Sequence, residues 1–284
     1  MRLLLAIVLL ILLSPKALAD RFADVQVDAT ELAPGLYMLT GAGGNMAALT
    51  GKDGILLVDA QFAEMAGKIE ARLNELAEGQ ALQVLVNTHF HGDHVGGNAK
   101  LAADSRIIAH DNVRKRLQAD SNFPAEGLPN LTFNDQLSLH MNGHHIVLTA
   151  MQPSHTDGDT IVWFHDAKVV HMGDLMFEGR FPFVDTNAGG NFQAYKAVTR
   201  LVIERIDDDF QVIPGHGALT NRAGLKRELQ MMEATFAKVK QYQAEGLSLD
   251  AMLERGLGEE WQAWHWSFIT EERWIRTLYQ ALQD

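Results

Sequence analysis

The stretch NTHFHGDHVGGN (87–98) sets three histidines and an aspartate, His89, His91, Asp93 and His94, within six positions. It follows ALQVLV, a run apolar enough for a buried strand, so the cluster falls where a strand gives way to a loop. In extended backbone alternate side chains share a face, which lets His89 and His91 point at one metal ion. Gly92 then lets the chain turn without a side-chain clash, and Asp93 and His94 project toward a neighbouring position. One short segment can therefore serve two ions. The chain has no cysteine, so neither disulfides nor thiolate ligands are available and any metal is held by nitrogen and oxygen.

Working outward from this loop, the chain before it reads as short strands and the chain after it as alternating strands and helices. GLYMLTG, NMAALTG and GILLVDA are apolar runs separated by glycine, as in a meander. Residues 62–76 carry Met65, Ile69, Leu73 and Leu76 on one helical face. In DQLSLHMNGHHIVLTAM the pair Asn142-Gly143 separates two alternating runs, a hairpin signal. TIVWF and KVVHMGD form a further strand pair around His165-Asp166-Ala167, residues 194–206 read as a helix, and FQVIPGHG as a strand ending in glycine-rich turn chemistry. A long helix is expected from 221 to about 246, with two shorter helical pieces beyond it. No internal repeat or low-complexity linker interrupts the chain, so residues 20–284 read as one domain with a helical C-terminal extension over about 221–284.

The first 19 residues differ from the rest. Arg2, an apolar run over 3–13 and Ala17-Leu18-Ala19 fit a cleavable signal peptide, with a mature chain from Asp20 in the periplasm or secreted. Eleven apolar residues are too few for a membrane span, which needs roughly 20, so no stable anchor is expected. Loss of Arg2 and Lys16 leaves 22 basic against 36 acidic side chains, a net charge of −14. That surface repels phosphates and argues against a nucleic-acid partner, leaving a small-molecule substrate.

Four residues from one loop do not complete two metal sites. Ser154-His155-Thr156-Asp157-Gly158, Gly173-Asp174 and Pro214-Gly215-His216-Gly217 each place a donor where an apolar strand gives way to a turn. In order, a strand ending in Asp59, then HxHxDH, a later histidine, a later acid and a final histidine resemble the metallo-β-lactamase superfamily over about 35–219. The resemblance implies an α/β fold, an αββα sandwich of two mixed sheets flanked by helices, with a dinuclear zinc centre at one sheet edge. It makes His89, His91 and His155 ligands of the first ion and Asp93, His94 and His216 of the second, with Asp174 bridging and Asp59 supporting the metal loop. Imidazoles with few carboxylates suit zinc, whereas the redox diiron branch typically has a glutamate where this chain has His91.

Two such ions lower the pKa of a shared water toward about 7, which implies hydrolysis of an acyl bond, with Asp93 orienting the nucleophile and passing on its proton. The cysteine and lysine of one large β-lactamase subclass are absent; Phe177 stands at the lysine position. Asp174 in that motif is similar to the glyoxalase II and lactonase branches, while export weighs against a glutathione thioester. A β-lactam or similar cyclic amide ranks slightly ahead of a lactone or thioester, and a mononuclear iron persulfide dioxygenase, which shares HxHxDH, is the redox alternative. The loop MFEGRFPF (176–183) is expected as an apolar wall to which Phe177 contributes; Arg180 there reads equally as an anchor for a substrate carboxylate or as a solvated surface arginine. Trp261, Trp264, Trp266 and Trp274 read as the buried sides of covering helices rather than a lid. His110, His140, His144, His145, His165, His171 and His265 lack the strand-end setting and read as bystanders, with His144 and His145 exposed beyond their hairpin turn.

Overall fold

Among residues 21–283, which the computed structural model describes, two sheets pack face to face; the leader expected over 1–19 lies outside the described residues. The first sheet runs in order β1 (Asp28–Ala33), β2 (Leu36–Thr40), β3 (Met46–Leu49), β4 (Ile55–Val58), β5 (Leu82–Val86), β6 (Arg106–His110) and β7 (Leu131–Phe133). β2, β3 and β4 form the antiparallel meander read from the sequence, β1 extends it antiparallel to β2, and β4 through β7 are parallel. The second sheet contains β8 (Gln136–Met141), β9 (His144–Ala150), β10 (Thr160–Phe164), β11 (Val169–His171), β12 (Gln211–Ile213) and β13 (Thr220–Asn221), with β11 and β12 parallel and the remaining pairs antiparallel.

Strand periodicity explains the layering. In β4 alternate residues point to opposite faces: Leu56 and Val58 meet Leu148, Val162 and Phe164 of the facing sheet, while Ile55 and Leu57 meet Ile69 and Leu73 of the helix α1 (Ala66–Leu76). Both faces are therefore buried and the strand reads as an unbroken apolar run. A single turn of 3-10 helix, Ala63–Met65, precedes α1, so the helix expected over 62–76 starts a turn late. Two four-residue helices, α2 (Gly92–Val95) and α3 (Asn98–Leu101), continue the histidine loop, and α4 (Asp111–Ala119) packs Val113 and Leu117 beside β6.

The outer face of the second sheet is covered by α5 (Phe192–Arg205), α6 (Arg222–Ala244), α7 (Leu249–Arg255) and α8 (Glu271–Gln280), giving the four layers of an αββα sandwich. Asn191 caps α5 by accepting from Ala194 N, and Asn221 caps α6 by accepting from Ala223 N, which sets these two starts within two residues of those read from the sequence. Trp274 of α8 is fully buried between Phe181 and Phe192. The C-terminal helices thus belong to the main core rather than standing off as an appendage. Among the described residues no helix is long and apolar enough to cross a membrane. The sequence reading leaves β1, β6, β7 and α4 unmarked.

Candidate metal centre

Every donor expected from the sequence comes from a loop at the C-terminal end of a strand or the turn after it. His89, His91, Asp93 and His94 follow β5, His155 follows β9, Asp174 lies in the 3-10 turn after β11, and His216 follows β12. Two groups form, His89, His91, His155 and Asp174 in one and Asp93, His94 and His216 in the other, with the candidate ligand atoms of each within 4.8 Å of one another. Asp174 faces both. Its Oδ2 lies 3.5 Å from His155 Nε2 and 3.8 Å from His89 Nε2, while its Oδ1 lies 3.1 Å from His94 Nε2 and 3.4 Å from His216 Nε2. Asp93 Oδ2 is 3.3 Å from His216 Nε2 and 3.7 Å from His94 Nε2.

The nitrogen each ring presents is set by what the other nitrogen meets. His155 Nδ1 donates to Phe183 O at 2.7 Å, and His94 Nδ1 donates to Asp59 Oδ2 at 2.7 Å, leaving Nε2 of both rings aimed inward. His89 Nδ1 donates to Thr88 Oγ1 (3.1 Å), whose hydroxyl donates in turn to Asp59 Oδ2 (2.7 Å). His91 is reversed: its Nε2 lies 3.0 Å from Asp185 Oδ2 and its Nδ1 turns inward, 3.0 Å from His155 Nε2. Asp185 carried no motif signal, because it lies 94 residues from the ring it orients.

Backbone packing makes room for these side chains. A Cβ on Gly215 would lie 2.1 Å from Asp174 Oδ1, and one on Gly44 would strike the His94 ring at 2.0 Å. Both positions therefore require glycine. Gly215 N donates to Gly173 O and Met176 O, and Asn45 ties the His216 loop through Pro214 O and Gly217 O at 2.9 Å. His171, read as a bystander, is buried below this loop, its ring bonded to Asn45 O and Gly173 N and pointing to neither group. His145 is exposed as expected and His144 half-buried.

The donor set fits cations. His89 Nε2, His94 Nε2 and Asp174 Oδ1 are buried without a hydrogen-bond partner, and each such atom costs about 1–3 kcal/mol unless something occupies its free valence. Burial pushes His155 down to about 4 and His89 well below the ordinary histidine value, so both rings are neutral donors at neutral pH. Burial opposes charge on His94 too, yet the carboxylates of Asp174, Asp93 and Asp59 outweigh it and raise its pKa well above the usual value. Three carboxylates converging on one buried ring leave a local excess of negative charge that a divalent ion offsets.

The two groups open into one cavity of about 410 Å³, whose walls are Phe62, Phe177, Phe183, Trp266 and Phe268. Phe177 takes its expected place, stacked on His216 with ring centroids 5.2 Å apart. Arg180 does not line the cavity; its guanidinium lies over the Trp266 ring at 5.3 Å. Of the four tryptophans, Trp274 is core and Trp261 and Trp264 pack half-buried against it, as a covering layer requires. Trp266 departs from that reading. It sits in the loop between the 3-10 helix Glu259–Trp264 and α8, held by its indole N–H on Phe181 O at 2.9 Å, and forms a wall of the cavity.

An αββα sandwich carrying imidazole and carboxylate side chains on the strand-end loops of one edge defines a class, sandwich proteins with a candidate metal centre at the sheet edge. The chain belongs to the metallo-beta-lactamase superfamily, whose sequence model matches residues 39–216. Among characterised proteins it is 24% identical over 208 residues to the 2,4-dinitroanisole O-demethylase subunit alpha of Nocardioides sp. (strain JS1661), a match covering 72% of this chain and 61% of that one. It is 26% identical over 182 residues to the hydroxyacylglutathione hydrolase GloC of Haemophilus influenzae, covering 60% of this chain and 85% of the relative. Among solved structures, a metallo-beta-lactamase from Pontibacter korlensis superposes with a TM-score of 0.61 at 17% identity over 73% of this chain and 99% of its own. The sec-alkylsulfatase Pisa1 from Pseudomonas sp. does so with a TM-score of 0.70 at 17% identity over 89% of this chain and 50% of its own. Likeness at that identity establishes the shared fold.

Proposed function

We propose that this chain hydrolyses an acyl bond of a small molecule at a centre of two zinc ions, His89, His91 and His155 holding one, Asp93, His94 and His216 the other, and Asp174 reaching both. The observation that carries the reading is the division of Asp174, one oxygen turned to each donor group across 3.1–3.8 Å. Nitrogen and oxygen donors without thiolate suit zinc. Ions so held supply Lewis acidity and a water of lowered pKa.

The chain's own groups do the rest. Asp93 lies on the cavity wall and is partly exposed, so its carboxylate can orient an attacking water and take its proton while bonded to His216. Asp174 keeps the two groups in register, and Asp185 and the Phe183 carbonyl lock His91 and His155 in the tautomers a cation needs. The apolar walls keep bulk water from the reacting atoms. The sequence pattern of 1–19 supports an exported mature chain, and the negative net charge supports a small molecule rather than a nucleic acid as partner.

Between acyl classes, the sequence ranks a β-lactam or similar cyclic amide ahead of a lactone or thioester. The cavity wall, with no lysine or arginine among the described residues that line it, shifts that order toward uncharged esters and lactones, because a β-lactam carboxylate finds no cationic side chain there. The hydroxyacylglutathione hydrolase relative keeps the thioester as the second reading. The test is elemental analysis of the purified mature protein together with a screen of β-lactam, lactone, ester and thioester substrates. Two zinc ions per chain with turnover of an ester or lactone is the expected result. One iron with oxygen-dependent turnover of a persulfide, or full metal content with no hydrolysis, would overturn it.

A further inference from the structure

The cavity walls connect into a belt. Phe183 stacks against His91 (centroids 5.7 Å, 24° between planes), Phe268 meets Phe183 edge-on at 5.1 Å, Trp266 meets Phe268 at 5.5 Å, and Phe177 and Trp266 lie 5.2 and 6.0 Å from the His216 ring. The belt therefore starts on a ring of one donor group and ends on a ring of the other, and its rings line the cavity that both groups share. Phe62 also lines the cavity, stacked on Phe22 at 5.3 Å.

Three arginines touch these rings and none lines the cavity. Arg21 lies 4.4 Å from the Phe62 centroid, Arg180 5.3 Å from Trp266, and Arg273 4.8 and 4.2 Å from Phe183 and Phe268. Arg273 also donates to Phe268 O at 3.0 Å, which fixes it to the outside of the rim. The Trp266 indole N–H is used on Phe181 O, so that wall offers a substrate a π-face without a free donor. Such a surface gains from a flat apolar group that stacks on it, and strips water from a charged group without replacing it.

We propose that the belt is a subsite for an uncharged aromatic or similarly flat apolar group beside the scissile bond, so that the preferred substrate is a neutral aryl ester or aryl-substituted lactone. This rests on the acyl-hydrolase reading for the chemistry but not for the binding. Trp266 and Phe268 are the specificity residues, and both come from the C-terminal segment beyond the part of the chain that the family model matches. Removing one apolar contact from such a pocket changes discrimination by about 10- to 100-fold.

The test uses the full-length mature protein loaded with zinc. Initial rates are compared for a neutral aryl ester, a small alkyl ester and an aryl ester carrying a carboxylate on the ring, and calorimetry measures binding of 2-naphthamide, which needs no turnover. The neutral aryl ester should exceed both others in kcat/KM by at least about tenfold, mainly through KM. Trp266→Ala and Phe268→Ala should erase the advantage over the alkyl ester, mainly by raising KM for the aryl ester, and weaken 2-naphthamide by about tenfold. Trp266→Leu, which keeps an apolar side chain without an aromatic face, should lose the aryl preference as well, which separates loss of stacking from a local folding defect. Equal rates for aryl and alkyl esters, a preference for the carboxylate, or 2-naphthamide binding indifferent to Trp266→Ala would overturn the subsite. Binding that follows the prediction with no ester turned over would instead overturn the hydrolase reading and leave the subsite standing.

Discussion

His94 Nδ1 and Asp59 Oδ2 lie 2.7 Å apart with both side chains wholly buried. The same carboxylate accepts from Thr88 N at 2.8 Å and Thr88 Oγ1 at 2.7 Å, and Thr88 Oγ1 receives the Nδ1 proton of His89. One buried aspartate thereby fixes a ring in each donor group, directly in one and through a hydroxyl in the other. It does so from a left-handed backbone (φ 64°), a conformation that aspartate tolerates better than most residues. Asp59→Asn supplies one acceptor oxygen where three donors converge, and its amide turns a donor toward His94 Nδ1 or Thr88. We expect metal affinity to fall about 10- to 100-fold with little change in circular dichroism. Unchanged affinity in a chelator competition would remove Asp59 from this role.

The division of donors predicts separable losses. His155→Ala removes an inward Nε2 from the group containing His89 and His91, whereas His216→Ala removes one from the group containing Asp93 and His94. Each variant should hold one zinc tightly and the other weakly, and Asp174→Ala should weaken both. Stepwise titration with a zinc indicator reads this directly. Two undiminished ions in His216→Ala would refute the assignment of the final histidine.

The seven residues that gather at the candidate centre were legible as a group because each stands where an apolar run meets a glycine-rich turn, a local signal that needs no knowledge of the fold. The layered architecture was legible for a related reason: β4 and β10 are buried on both faces and announce themselves as apolar runs. Apart from Asp59, what orients the donors was hidden. Asp185 and the Phe183 carbonyl act across contacts between distant segments, and the sequence carries no sign of those contacts. β1, with the sequence DATELA and mostly exposed side chains, has no hydrophobic alternation to read; as an edge strand it is held by its ladder with β2. Trp266 was misplaced because helical spacing among the C-terminal tryptophans suggested one covering face, whereas the chain between 264 and 271 leaves the helix and turns its indole into the cavity.

Asp93 separates catalysis from metal holding. Its carboxylate bonds toward His216 yet stays on the cavity wall. Asp93→Asn keeps the shape and removes the proton acceptor, so kcat should drop by about 10²- to 10⁴-fold while zinc content falls far less. Full kcat in a zinc-replete Asp93→Asn protein would exclude this residue as the base.

Arg180 gives the opposite test. A carboxylate anchor predicts that Arg180→Ala raises KM for anionic substrates alone. Its position over Trp266 predicts a similar rise of about two- to fivefold for neutral and anionic aryl substrates, since loss of an exposed cation–π contact is worth roughly 0.5–1 kcal/mol. A selective loss on anionic substrates would restore the anchor.

Glu228 of α6 provides a pH signature away from the donors. It is 1% exposed, its Oε1 accepts from Phe177 N at 2.9 Å, and Oε2 lies buried without a partner that meets hydrogen-bond geometry, beside Tyr195. Burial pushes its carboxyl from 4.5 up to about 8, and the nearby Glu178 adds to the rise. The folded chain therefore keeps this proton until about pH 8, while the unfolded chain releases it near 4.5. Between those values the folded state binds more protons, so this group makes stability fall as pH rises, with the loss complete above about 8. Glu228→Gln preserves an acceptor for Phe177 N and never ionises. Below pH 4.5 the two proteins should melt alike apart from a pH-independent offset, and toward pH 9 the variant should gain on the wild type by a few kcal/mol at most, a Tm difference of several degrees. Because the histidines and other acids titrate equally in both, the difference between the two melting curves isolates Glu228. A gap that stays constant from pH 5 to 9 would show that Glu228 is ionised in the folded chain and that Phe177 is held by a carboxylate.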